Sequence, residues 1–460
     1  MSKNNTTLLA DFNSVSAKEW KTKIQADLKG EDYNNLIFQD RNGIDIKPFY
    51  HQEETEIGYM PKSPKNWLIT ESFEISANTN IDDVLEVLEK GTQALWLKFK
   101  QNSPNPIAFV EALYSKNIPV YLDFEYQKEE EINTLIEFLS GKNHQFSIGV
   151  DCIGHLASTG NWHQNLRKDF EDFNWLIKAQ GTFPIFLSIR TEIYENAGAN
   201  HIQQVAYAMA HVNEYLNHLS VHFPEKSKNF KPLFHVSIGG NYFAEIAKLK
   251  ALRIIYSEIA EAYEIPQDIE ILAFPSLRNK TLYDYNVNML RTTTESMSAI
   301  LGGANWVANT AYDSVFHHDN NFGRRIARNQ LLVLKNESYF DKVSNPADGS
   351  YYLESLTQQI SEKALSIFKS IEQAGGFITA LTDGTIQRKI EEIAQEELKS
   401  FEQKEKILVG TNKYLNLDDK MKNELEKTPF LEKFPRKTLI KPIIQKRLAE
   451  GIENERLTNE

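Results

Sequence analysis

From about residue 67 onward, short apolar runs alternate with longer segments whose apolar residues recur at helical spacing. The short runs predict strands over 67–69, 94–99, 120–124, 146–150, 185–189, 233–238, 269–274 and 306–309. Between them the spacing predicts helices over 81–90, 132–139 and 202–219, the last with Val205, Met209, Val212 and Leu216 as an inward stripe. Strand and helix in regular alternation is the rhythm of parallel βαβ units. Eight strands suggest an α/β chain closed into a (β/α)8 barrel of the TIM type, although an open doubly wound sheet would show the same alternation.

Ahead of the alternating region, residues 12–30 read as a capped amphipathic helix. Ser16 is its N-cap, Glu19 stands at the capping-box position, and Trp20, Ile24 and Leu28 share one face. Residues 43–50 alternate apolar and polar up to Pro48 and predict an extended arm lying on a neighbour. A helix from about 283 ends where Gly302-Gly303 frees the backbone. Arg324, Arg325 and Arg328, interleaved with Ile326, Leu331, Leu332 and Leu334, predict a helix with the arginines along one side and the other side buried. Residues 345–350 form a turn by composition. Charged helices follow over 360–373 and 386–404, then a charged, proline-flanked stretch over 418–436 that reads as a linker or surface excursion. The chain thus divides into an N-terminal helix and arm (1–65), a barrel (66–356) and a C-terminal helical region (357–460).

Composition narrows the function classes. A net charge of −12 and a pI near 5.5 argue against a nucleic-acid partner, which would need a concentrated basic surface. The single cysteine, Cys152, rules out an internal disulfide framework and suits a reducing compartment; its expected role is a buried side chain. The first residues lack the charged-then-apolar build of a signal peptide, and no apolar run approaches the roughly 18 residues of a membrane span, so a cytoplasmic protein is expected.

The densest chemistry lies between Tyr283 and Glu354. Four strings occur there in order: Val287 to Glu295, Leu301-Gly302-Gly303-Ala304, Arg324 to Gln330, and Asn345-Pro346-Ala347-Asp348-Gly349-Ser350 running into Tyr351-Tyr352-Leu353-Glu354. Together they resemble the substrate barrel of the methylmalonyl-CoA mutase family, with Arg291, Gly302, Gly303, Arg324, Arg328, Asn329 and Gly349 as the scaffold signature. Phe243 to Leu249 and Val409 to Tyr414 also look like the family. The resemblance implies rearrangement of acyl-CoA carbon skeletons by radical chemistry on adenosylcobalamin, the cofactor supplying the radical and the protein positioning it.

Where the family places its reacting groups, this sequence departs from it. The family segment Gly-Tyr-His-Met-Gln-Glu-Ala-Gly-Ala aligns with Thr191 to Ala199, which keeps Ala197-Gly198-Ala199 but puts Ile193 where the histidine would hydrogen-bond the thioester carbonyl. Isoleucine has no donor to polarise a carbonyl. The family's substrate tyrosine has no counterpart, and Thr70 occupies the position of its strand arginine, a cation that would meet the acyl carboxylate. The Gln-Thr-Ser-Gly-Trp segment is replaced by Pro275-Ser276-Leu277-Arg278-Asn279-Lys280. None of the eleven histidines lies in the Asp-x-His-x-x-Gly signature that supplies cobalt's lower ligand, so the resemblance implies no cofactor and no catalytic residue on this chain.

A retained fold with its chemistry removed implies a non-catalytic subunit. It would stabilise a large catalytic partner in a 1:1 heterodimer, with adenosylcobalamin held by that partner and an N-terminal arm wrapping it. A second reading is a substrate-binding subunit whose cobalamin domain is a separate chain. A third is a barrel that keeps a CoA-sized channel and binds acyl-CoA without reacting it. Methylmalonyl-CoA is the expected acyl group of the complex, with isobutyryl-CoA close. His317-His318-Asp319 is read as a polar loop and not as a metal site, since adjacent histidines diverge. Gly239-Gly240 between a strand and a helix is a weak anion signal, and His235 on that strand is expected in the core.

Overall fold

The computed structural model describes residues 13–55, 63–100, 102–125, 128–179, 184–227, 230–431 and 436–460. A short antiparallel hairpin, β1 (Phe38–Gln39) and β2 (Asp45–Ile46), precedes the main sheet. That sheet comprises β3 (Leu68–Ile75), β4 (Ala94–Phe99), β5 (Val120–Phe124), β6 (Phe146–Val150), β7 (Ile185–Arg190), β8 (Lys231–Ile238), β9 (Glu270–Pro275) and β10 (Trp306–Ala308). All pairings are parallel, and β10 closes the barrel between β9 and β3, Val307 pairing with both Ala273 and Ile69. The fold is a TIM-type (β/α)8 barrel.

Each predicted strand is present, and only the first differs much in length. The apolar run stops at Ile69, yet β3 continues to Ile75, in register with β4 from Thr70 opposite Ala94 to Ile75 opposite Phe99. The polar residues that hide it from a hydrophobicity reading, Thr70, Glu71, Ser72 and Glu74, line a cavity at the strand's C-terminal end. They find partners or solvent there, so the ladder continues without stranding them.

The helices in chain order are α1 (Ala17–Asp27), α2 (Ile81–Glu89), α3 (Ile107–Tyr114), α4 (Glu129–Leu139), α5 (Cys152–Thr159), α6 (Leu166–Ala179), α7 (Glu192–Ala197), α8 (His201–His222) and α9 (Pro224–Ser227). They continue with α10 (Tyr242–Ala262), α11 (Val287–Leu301), α12 (Asn321–Asn336), α13 (Tyr351–Gln373), α14 (Phe377–Thr382), α15 (Thr385–Glu402) and α16 (Glu450–Asn459). The stripe on α8 is buried as expected, but Ala206, Tyr207, Ala208 and His211 between its members are buried too. α13 packs against both α8 and α10 and adds a layer outside the barrel helices, and Phe377 of α14 lies against the Tyr207 and His211 rings. α13 runs through position 356 without interruption.

Glycines 302 and 303 end α11 as predicted. Gly303, at φ +85°, turns the chain into β10, and Arg253 fixes the turn by donating to the Gly303 carbonyl at 2.6 Å and to Asn305 at 2.7 Å. Its partner Gly302 is there for space, since a Cβ would come 2.7 Å from Leu249.

At the N-terminus the capping box forms: the Glu19 amide donates to Ser16 Oγ at 3.2 Å and the Ser16 amide to Glu19 Oε2 at 2.8 Å. The apolar face does not bury as expected. Only Ala17 is buried in α1 and Trp20 stays 46% exposed. The predicted start of this helix at Phe12 lies outside the described residues. The 43–50 stretch folds back on its own chain, with Ile44 fully buried and the Asp45 amide donating to Gln359 of α13 at 2.9 Å. Among the described residues no helix is long and apolar enough to cross a membrane.

The 418–436 stretch is no free linker where it is described. Met421 is buried with Leu282, Tyr283 and Phe316, and the Glu426 and Lys427 amides donate to the Phe316 carbonyl at 3.0 and 3.1 Å. Its charges hid this anchoring, because the bonds are made by the backbone.

Candidate functional site

In a TIM-type barrel the chemistry-bearing face is the one at the C-terminal ends of the strands. Alternate residues of each strand point inward, and here they fill the barrel. Leu68, Ala94, Trp96, Tyr121, Phe186, Leu233, Leu272, Phe274, Trp306 and Ala308 form one inner cluster, separate from the larger core between strands and helices. His235 stands among them with its ring 5.2 Å from Trp96 and 5.5 Å from Tyr121. The Tyr121 hydroxyl shares hydrogen bonds with Ser188 Oγ at 2.6 Å and His235 Nε2 at 3.1 Å. Gly149 makes room for this group: a Cβ there would lie 2.0 Å from the Tyr121 hydroxyl.

Above this plug the inward residues become charged. Asp123 accepts from Trp96 Nε1 at 3.0 Å and from Arg190 Nη2 at 2.5 Å. Burial opposes the Arg190 charge, but Asp123 beside it more than compensates and keeps the guanidinium firmly protonated. Lys98, next along β4, lies with its ammonium 3.7 Å from the Trp96 ring centre. Glu192, at the start of α7, has one buried carboxyl oxygen without a hydrogen-bond partner, and burial pushes its pKa up to about 8 against the pull of Arg190. It is a protonated acid near neutral pH.

Beside the plug, Asp151 Oδ1 accepts from His211 Nε2 at 2.9 Å, Tyr215 at 2.9 Å and the Gly154 amide at 2.7 Å, and Oδ2 accepts from the Arg190 amide at 3.0 Å. Burial would raise its pKa; His211 outweighs that and holds it low. This network pins α5, α7 and α8 to the barrel rim. Its donors are all engaged, so it is a brace.

A cavity of about 290 Å³ opens at the mouth between β3, the loop after β10, and α12. Thr70, Glu71, Lys98, His317, Arg324 and Arg328 all reach its wall. The expectation that the α12 arginines share a solvated side is corrected: Arg325 is exposed, but Arg328 is buried and Arg324 is half-buried. Arg328 pairs with Glu71 at 2.9 Å and Arg324 approaches Glu71 at 3.7 Å while stacking 4.1 Å from the Phe73 ring. Glu71 sits one residue beyond Thr70, on the outward face of β3, and so draws the arginines to the gap between strand and helix.

The other signature residues are spread out. Arg291 donates to Thr281 and Asn288 and to the Val409 carbonyl, each at 2.8 Å, joining α11 to the C-terminal region. Gly349, at φ +80°, donates to Glu354 at 3.2 Å ahead of α13. Asn329 is exposed on α12. Ile193 is 2% exposed and packs into the outer core, away from the mouth cavity. Thr70 turns inward, its hydroxyl spent on the Leu68 carbonyl at 3.1 Å.

The remaining sequence candidates find local partners. The Gly239 amide donates to Glu245 Oε1 at 2.9 Å, so this helix start already holds a carboxylate of its own chain. Glu245 lies low, at about 2, because Lys248 and His201 outweigh burial. His317 pairs with Asp313 at 3.0 Å. Cys152 is buried and burial drives its thiol up to about 12, which makes it inert.

The chain's C-terminal segment lies over the same face. Leu439 and Ile440 donate to the Gly160 carbonyl at 3.0 Å, Ile443 to Ala157 at 2.8 Å, Lys446 to Asn196 at 2.9 Å and Leu448 to Arg278 at 2.8 Å. These acceptors follow β6, β7 and β9, so residues 439–448 strap three loops of the mouth together.

A family model described as methylmalonyl-CoA mutase matches residues 142–443. The chain belongs to the methylmalonyl-CoA mutase family. It is 30% identical to the methylmalonyl-CoA mutase small subunit of Porphyromonas gingivalis, over 91% of this chain and 73% of that protein. The methylmalonyl-CoA mutase of Escherichia coli is 34% identical over 51% of this chain, a region that makes up only 34% of the E. coli protein. The nearly full-length match is thus to a small subunit. Among solved structures, dihydropteroate synthase of Thermus thermophilus aligns with 60% of this chain at 13% identity and a TM-score of 0.34, too slight to bear on function.

Several mouth residues escape a reading of the sequence: Trp96, Lys98, Tyr121, Asp123, Arg190 and Glu192. A signal was present, because period-two positions at the C-terminal ends of β4, β5 and β7 turn polar. Only closure of the barrel says that these ends converge.

Proposed function

We propose that this chain is the non-catalytic small subunit of an adenosylcobalamin-dependent methylmalonyl-CoA mutase. It would pair one to one with a large catalytic subunit that carries out the interconversion of methylmalonyl-CoA and succinyl-CoA. The observation that carries the reading is the filled barrel. Trp96, Tyr121, His235 and Trp306 occupy the axis along which an acyl-CoA arm would have to thread, and no donor stands at Ile193 to meet a thioester.

Three histidines near the mouth are committed to partners within the chain. His211 and His235 are fully buried and bonded to Asp151 and Tyr121, and His317 is held by Asp313. In this reading the cofactor belongs to the partner. The filled axis likewise weighs against a substrate-binding barrel completed by a separate cobalamin chain, and against an acyl-CoA binder. Support for a stabilising role comes from the N-terminal region, where Val15, Trp20 and Phe38 are 54%, 46% and 64% exposed. Obligate interfaces, which commonly bury more than roughly 2,000 Å², are where such side chains find cover.

The test is mutase turnover with adenosylcobalamin and methylmalonyl-CoA, for this chain alone and with a large subunit. The expected result is no turnover alone, including after Ile193→His, together with co-purification and a raised unfolding midpoint of the large subunit. Turnover on adding a free cobalamin-domain chain, with no large subunit present, would overturn the proposal.

A further inference from the structure

Four carboxylates line the mouth cavity of about 290 Å³, and each has its own partner. Glu71 holds Arg328 at 2.9 Å, Asp313 holds His317 at 3.0 Å, Glu74 holds Lys100 and Asp319 holds Arg324. Two ammonium groups on the same wall are left over. Among the described residues, no carboxylate lies within ion-pair distance of Lys98 or Lys427.

The two come from distant parts of the chain. Lys98 is half-buried on the inner face of β4, over the Trp96 ring. Lys427 stands at the more open rim, brought there by the C-terminal segment whose Lys427 amide is fixed on the Phe316 carbonyl at 3.1 Å. Arg328, also in the cavity lining, keeps its buried Nε donor without an acceptor. Burial lowers the pKa of both lysines against the opposing pull of Asp123 and Glu74 on Lys98 and of Glu74, Asp313, Asp319 and Glu426 on Lys427. Two ammonium groups on one cavity, neither in direct contact with a carboxylate of the described residues, are donors that a bound oxyanion can engage.

We infer that the mouth cavity binds a compact dianion, a small dicarboxylate or a phosphate, held between Lys98 and Lys427. Its charge matches the two ammonium groups, and its size suits a cavity of about 290 Å³. The bound anion would clip the C-terminal segment to β4, so occupancy raises resistance to unfolding. The inference stands apart from the subunit assignment, because it uses only charges within this chain.

The experiment is calorimetry and thermal unfolding of the full chain with succinate or inorganic phosphate, against sodium chloride at matched ionic strength. One-site binding with a Kd below about 1 mM is expected for at least one anion, and which of the two binds identifies the source. Lys98→Met and Lys427→Met should each weaken binding about tenfold or more, the order of one charge-assisted contact. Lys90→Met, which removes only a surface pair with Glu86, should leave binding unchanged. Lys427 sits at an open rim, so its variant folds even if Lys98→Met does not. Absence of binding by both anions, or binding that survives Lys427→Met at full strength, would overturn the inference.

Discussion

Glu192 shows what a single position contributes at the barrel mouth. Its carboxyl is buried beside Arg190, and burial lifts its pKa from an ordinary 4.5 to about 8. The folded state therefore binds a proton that the unfolded chain releases, and stability is lost as pH rises through that window. Glu192→Gln, neutral and of the same shape, removes this loss. The difference in unfolding free energy between the variant and the parent should widen in the variant's favour by roughly 1–4 kcal/mol between pH ~5 and pH ~8, read from urea denaturation. A difference independent of pH would show that Glu192 is ionised in the folded protein. Nothing in the residue type revealed this state, since a glutamate in a helix of alternating character reads as a surface charge. Ile193 beside it is the opposite case. Its missing donor is legible from the letter alone, and the structure adds only that it faces the outer core.

At the scale of elements, the strap over the mouth is the feature least visible in the chain. Residues 439–448 have neither helical nor strand periodicity, and their hold on the barrel is made by backbone amides. Gly160 is where the strap meets the helix before it. That residue ends α5 at φ +80°, and a Cβ would lie 2.6 Å from the Ile440 carbonyl oxygen. Gly160→Ala should cost about 1–3 kcal/mol from left-handed strain and displacement of the strap. Hydrogen exchange should localise the damage: the amides of Leu439 and Ile440, which donate to Gly160, should exchange faster while those of β4 and β5 stay protected. Uniform loss of protection would mean that strap and barrel open as one unit. The barrel elements themselves were largely legible, because strands buried on both faces are continuous apolar runs. Hydrophobic patterning ends the first strand early because Thr70, Glu71, Ser72 and Glu74 belong to a cavity wall, where polar side chains find partners.

For the molecule as a whole, the proposed non-catalytic role requires an axis closed to CoA. The isolated chain should take up no CoA in equilibrium dialysis at concentrations up to about 1 mM, and a measurable Kd in that range would mean that the Trp96–Tyr121–His235 plug opens. What the sequence by itself determined follows from short-range rules: alternation of strand and helix, the capping box at Ser16 and Glu19, the turn at Gly302-Gly303, and the absence of a donor at Ile193 and of a cation at Thr70. Each depends on a residue and its near neighbours in the chain. Only the tertiary structure decided that alternate strand positions converge to close the axis and that Arg324 and Arg328 turn to Glu71 instead of water. It alone placed Lys98 and Lys427, 329 positions apart, on one cavity, with no carboxylate of the described residues in direct contact with either. Burial and pairing of charge are properties of the closed barrel, and local periodicity has no record of which distant groups that closure brings together.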